Sequence, residues 1–179
     1  DLKEAAKELS ANGFKSLTMG MNLKSLTSDY TVTENSEVTG VKKISISRGE
    51  LLRLGPFRLR YVNCEFFQDQ LYRIDLEFNE NREEIFKIFE SRFAPLQKND
   101  TWTQGTVKLS AKSGGSERCY GTILAPAAAY GGEEWETIVL LNPTTQRAAE
   151  QFKLDAPKRA AKDLLASSKA SAEGPREIE

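Results

Sequence analysis

Between residues 61 and 93 the order of apolar and polar positions specifies a β-hairpin followed by an amphipathic helix. Val62, Cys64 and Phe66 alternate with Asn63, Glu65 and Phe67, and Tyr72, Ile74, Leu76 and Phe78 alternate with Arg73, Asp75 and Glu77. Each run has one apolar face. A three-residue loop at Gln68, Asp69 and Gln70 sets Phe66 opposite Tyr72, Cys64 opposite Ile74, Val62 opposite Leu76 and Glu65 opposite Arg73; a two-residue loop mixes the faces. Asn81 to Glu84 has the spacing of a helix start. Ile85, Phe86, Ile88, Phe89 and Phe93 then recur on one side of a helix, and Pro95 stops it.

The same alternation extends in both directions. Leu2, Ala5, Ala6 and Leu9 predict a helix closed by Asn12 and Gly13. Residues 31–40 read as polar and turn-like. Val41, Ile44 and Ile46 begin a strand, and Gly55-Pro56 breaks the chain further on. Leu59 and Tyr61 have the opposite parity from Val62, Cys64 and Phe66, which predicts a bulge near Tyr61. Strands follow at 106–112, 117–124 and 134–141, with a helix from Thr144 to about Phe152. Strands then a helix occur twice, so a degenerate strand-strand-helix repeat is an expectation. The parts are an N-terminal helix (1–13), one α+β domain (14–152), a C-terminal helix (153–170) and a disordered tail (171–179).

Length and composition agree with one real core: 179 residues, 39% hydrophobic and 28% charged. A net charge of −1 removes any global argument for nucleic acid, so a nucleic-acid partner is not expected. No apolar run approaches the roughly 18 residues of a membrane span. The first residue is Asp1, and the chain reads as a processed or trimmed product from which any targeting signal has been cut away. Histidine is absent, which removes the usual general base, metal ligand and pH switch together. Cys64 and Cys119 allow one disulfide; burial as a small apolar side chain is the commoner fate of an isolated cysteine.

Met19-Gly20-Met21, the Phe66-Phe67-Gln68-Asp69-Gln70-Leu71 turn, Phe86 to Phe93 and Trp102 give an order of elements similar to that of small bacterial envelope domains, whose relatives are the outer-membrane assembly lipoproteins and the β-lactamase-inhibitor-like folds. The resemblance spans roughly residues 14–152. It implies a secreted or periplasmic binding module with no enzyme activity to carry over. A cytoplasmic setting is the alternative.

The candidate chemistry is sparse. Glu65, Asp75 and Glu77 share the outer face of the hairpin, an arrangement used by glycosidases and divalent cations, but Arg73 lies among them and neutralises a solvated face. No Ser-x-x-Lys occurs, and Ser110 with Lys112 has no oxyanion-forming turn beside it. Gly114-Gly115 and Gly131-Gly132 read as turns, since no phosphate-binding fingerprint surrounds them. Positive charge gathers at Lys42, Lys43, Arg48, Arg53, Arg58 and Arg60, either as a patch for an acidic partner, lipid headgroups or RNA, with Phe57 and Tyr61 as stacking surfaces, or as the guard of an edge strand. Phe67, Leu71 and Tyr61 turn outward in the expected register, covered by a later layer of structure or left for a partner.

The reading is an α+β domain, an antiparallel sheet over about residues 41–141 with helices near 81–93 and 144–152 packed on one face. Its expected role is non-enzymatic contact with a protein partner, through Arg53, Arg58, Arg60, Tyr61, Phe67, Leu71 and Arg73. No catalytic residue, cofactor or metal is expected. The alternative is ligand binding or hydrolysis in a cavity between sheet and helices.

Overall fold

Strand after strand in this chain is stabilised by its neighbour in sequence, and the sheet grows as two antiparallel meanders that meet edge to edge. The computed structural model describes residues 1–10, 12–93, 97–103, 106–111, 120–126, 136–172 and 174. The first meander is β4 (Tyr30–Ser36), β5 (Val41–Ile46), β8 (Tyr61–Phe67) and β9 (Gln70–Phe78). The second is β10 (Gln97–Thr103), β11 (Thr106–Ala111), β12 (Tyr120–Pro126) and β13 (Glu136–Leu141). Their last strands pair, Leu76 against Ile138 and Ile74 against Leu140. Among the described residues this makes one eight-stranded sheet in the order β10-β11-β12-β13-β9-β8-β5-β4. The fold is α+β with antiparallel pairing throughout.

The inner face carries the main core. Ile44, Val62, Cys64, Phe66, Leu71, Ile74, Leu76, Phe78, Ile138 and Leu140 meet Ile85, Ile88 and Phe89 of α2 (Arg82–Phe93). Phe86 packs edge-on against Phe78, ring centroids 6.0 Å apart. The N-terminal segment completes this layer. Its helix α1 is only Leu2–Ala6, shorter than the 1–13 expected, and the chain then folds into β1 (Leu9–Ser10), β2 (Gly13–Phe14) and β3 (Leu17–Thr18). Leu9 is fully buried in β1; an amphipathic spacing this short fits both periods, and tertiary contacts decide.

The outer face is covered at one end by α3 (Pro143–Leu154), where Val41, Phe67, Tyr72, Val139 and Leu141 enclose Ala149 and receive Phe152. The two helices therefore lie on opposite faces, and the expectation of one shared face is corrected. The cause is the apolar run Ile138-Val139-Leu140-Leu141, which is buried on both sides of its strand. Helix α4 (Ala156–Ala172) follows with no buried residue. Arg159 holds its start in place, stacking 3.4 Å from the Phe152 ring centroid and donating to the carbonyls of Phe152 and Val38.

Three other expectations meet differences. The β8–β9 loop is two residues, Gln68 and Asp69 at φ of 50° and 59°, the pattern of a type I′ turn whose twist matches the strands. Phe66 consequently faces Leu71, Phe67 faces Gln70, and a bulge absorbs Tyr72 before Glu65 meets Arg73. The bulge is thus at Tyr72, while near Tyr61 the chain simply bends between Leu59 and the strand. Finally, part of the expected turn at 31–40 is strand β4, at the rim of the sheet. Pro95, Cys119, Gly114-Gly115, Gly131-Gly132, Lys112 and most of the expected tail lie outside the described residues.

Candidate functional site

Two surface features have the composition of a site, and the first is a basic hairpin. Residues 50–58 form a short turn of helix and two strands, β6 (Arg53–Leu54) and β7 (Phe57–Arg58), that project from the end of β8 where Tyr61 begins. Gly55 turns the hairpin at φ 57°, and its N–H donates to Glu8 Oε2 at 2.7 Å, tying the turn to the N-terminal layer. Leu54 is fully buried beneath. This fixes the register in which Arg53 stands directly opposite Arg58. Both are exposed, and no carboxylate among the described residues pairs with either. Like charges directly opposed destabilise a strand pair. Next along the chain, Arg60 lies 3.9 Å from Glu77 and its guanidinium sits 5.5 Å from the Tyr61 ring centroid. Tyr61 itself is 47% exposed.

The second feature is a groove of about 410 Å³ between the outer face of the sheet and α3. Its floor runs from Glu34 on β4 across Val41, Lys43 and Glu65 to Tyr72 and Arg73, and α3 contributes Gln146, Ala149, Glu150 and Lys153. The cross-strand register explains the floor, since Glu34, Lys43, Glu65 and Arg73 are successive partners in one row. Lys43 Nζ is 3.2 Å from Glu34 and 3.8 Å from Glu65. Tyr72 Oη donates to Glu65 Oε2 at 2.5 Å. Arg73 turns to its strand neighbour Asp75 and donates to both carboxylate oxygens, at 2.8 and 3.2 Å.

Burial sets the protonation behaviour of this face. It pushes the Asp75 carboxyl above the ordinary carboxylate value, an effect the Arg73 guanidinium opposes without cancelling. Burial and the hydrogen bond to Glu65 drive the Tyr72 phenol upward. Glu77 is raised by burial and drawn back by Arg60. The three outer-face carboxylates are thus each matched to a donor or cation: Glu65 to Tyr72 and Lys43, Asp75 to Arg73, Glu77 to Arg60. Among the described residues no group of three or more potential ligands is placed to hold a metal ion, and no helix is long and apolar enough to cross a membrane.

The seven expected contact residues separate accordingly. Arg53, Arg58 and Tyr61 are exposed and Arg60 is half-buried, all four on or beside the hairpin. Leu71 is not on the surface: the bulge returns it to the main core, and its backbone bonds to Gly20 and Met21. Phe67 keeps its outward direction but is buried under α3, edge-on to Phe152 at 5.6 Å. Arg73 lies on the groove floor, half-buried and committed to Asp75. The alternative of a cavity between sheet and helices did not include this lining, because Lys43 meets Glu65 only through the β5–β8 pairing. Glu34 was hidden in a stretch with no alternation. The chain matches no protein-family model, no curated protein and no solved structure.

Proposed function

We propose that this chain is a non-enzymatic interaction domain that contacts a protein partner, and that the partner presents carboxylates to Arg53 and Arg58. The observation that carries the reading is the direct opposition of two exposed guanidiniums on one hairpin, with no anionic partner among the described residues. Each guanidinium offers a fork of donors suited to a carboxylate, and one acidic segment relieves the repulsion between them. Tyr61, beside Arg60, supplies exposed aromatic surface of the kind that anchors interfaces. A bacterial secreted or envelope setting completes the proposal and rests on the resemblance of the order of elements.

The test is titration of the whole chain with a blocked dodecapeptide rich in aspartate and glutamate, followed by amide chemical shifts. Saturable shifts at residues 53–61 that vanish in Arg53→Glu/Arg58→Glu support the reading. Absence of shifts there, or tighter binding of a single-stranded RNA of equal charge at the same residues, overturns it.

A second reading is small-ligand binding, favoured by the 410 Å³ groove. Its volume is within the range of about 300–1,000 Å³ typical of ligand sites. Its paired carboxylates fit binding better than hydrolysis.

A further inference from the structure

We propose that the rim strand β4 receives an extended segment of a partner protein, added as a ninth strand, with a basic side chain of that segment entering the groove at Glu34. This goes beyond the hairpin reading and uses a different end of the sheet.

Ser47 N–H donates to the Asp29 carbonyl at 3.0 Å, in register with the β4–β5 ladder, where Tyr30 faces Ile46 and Thr31 faces Ser45. Hydrogen-bonded pairs alternate in an antiparallel ladder, so Asp29/Ser47 and Thr31/Ser45 are the bonded pairs. The N–H and C=O groups of Tyr30 and Val32 therefore point away from β5, and β4 is the last strand of the sheet among the described residues. These are the groups a docking strand uses.

The side chains specify what docks. Tyr30 and Val32 stand opposite Ile46 and Ile44 of the buried face, yet are 37% and 52% exposed. They continue the apolar face past the rim of the sheet, where a partner residue at each of two alternate positions completes it. Between Val32 and Glu34 the register shifts, with Thr33 as the extra residue and its hydroxyl on the Lys43 carbonyl. Without that bulge Glu34 has the parity of Val32 and points to the apolar side. With it, Glu34 joins Lys43 and Glu65 at the mouth of the groove. There Lys43 is shared by two carboxylates, Glu34 and Glu65; Arg73 is committed to Asp75, and Glu150 and Lys153 of α3 offset each other, so the Glu34–Lys43–Glu65 row carries one carboxylate more than its single ammonium, which a guanidinium or ammonium complements. The occupant is then an extended segment with apolar residues at alternate positions and an arginine or lysine on the opposite face. A second copy of β4 presents glutamate at that place and is disfavoured.

The probe is a blocked heptapeptide of alternating valine and threonine with one central arginine, titrated into the whole chain. Saturable amide shifts at 30–36, 43 and 149–153 are expected. Affinity is expected to fall by about tenfold on Glu34→Lys or on replacing the arginine by citrulline, and to be lost when the peptide is N-methylated along the edge that faces β4. Shifts confined to the groove that survive N-methylation, or equal binding by argininamide alone, overturn strand addition. So does an absence of shifts with the peptide, or a concentration-dependent dimer that Val32→Lys abolishes. The hairpin variant Arg53→Glu/Arg58→Glu is expected to bind this peptide normally, which keeps the two proposals separable.

Discussion

Tyr72 donates its phenolic hydrogen bond to Glu65 across 2.5 Å, and Tyr72 is itself the extra residue of the bulge that reassigns the end of the hairpin. Had the loop been three residues long, Tyr72 would stand in the main core beside Phe66 and its hydroxyl would need a partner there. The type I′ turn and the bulge instead put the ring under α3 and the hydroxyl at the groove. Tyr72→Phe keeps the ring and removes the donor to an ionised group. The expected loss is about 1.5 kcal/mol, read in urea as a lower midpoint at unchanged slope.

Gly40 ends the β4–β5 turn at φ 66°, and a Cβ placed there lies 2.9 Å from the Phe152 ring and 3.0 Å from the Phe67 ring. Gly40→Ala meets both a left-handed backbone and two packed aromatics, and is expected to cost about 2–4 kcal/mol. The contact is with the end of α3, so shortening the neighbour gives relief. Gly40→Ala/Phe152→Leu is expected to be less destabilised than the sum of its single changes, measured as a coupling energy in a double-mutant cycle.

These two relationships mark the limit of what the sequence discloses. The α2 stripe and the faces of Val62, Cys64, Ile74 and Leu76 were legible because each follows one period over several turns or pleats. Strands β4 and β10 were not, since the alternation at one rim is limited to Tyr30 and Val32 before the polar run Thr33-Glu34-Asn35-Ser36, and the run from Gln97 at the other rim is polar. The bulge at Tyr72 was hidden by the sequence Phe66-Phe67, which offers an apolar side chain to either face. A signal for the second covered face did exist in Ile138 to Leu141, whose uninterrupted apolar run marks a strand buried on both sides. The basic hairpin was visible as charge, but the opposition of Arg53 and Arg58 depends on where Gly55 turns.

Cys64 is fully buried on the inner face with a free thiol, and burial, aided by the charge of Asp75, pushes its pKa up to about 12. The thiolate is the reactive form, so Cys64 is expected to be inert to a disulfide reagent at pH 8 in the folded protein. Titration before and after adding guanidinium chloride checks this. Labelling of Cys64 in native protein at the rate of a small-molecule thiol contradicts the burial assigned to β8.

Asp75 gives a pH dependence with a definite sign. Its folded-state pKa is raised, chiefly by burial, above an unfolded value of about 3.9. Between those values the folded chain binds more protons than the unfolded chain. The contribution of this group to stability is therefore fully present below about pH 4 and is lost as pH rises through the folded pKa. Asp75→Asn removes the titration but also leaves Arg73 without its carboxylate, a cost that does not depend on pH in this range. The difference in unfolding free energy, variant minus wild type, is thus expected to be most negative near pH 4 and to rise with pH until Asp75 is fully ionised, then flatten. Urea midpoints at half-unit intervals from pH 4 to 8 measure it. A difference that falls with increasing pH means that Arg73 outweighs burial and holds Asp75 below its ordinary value.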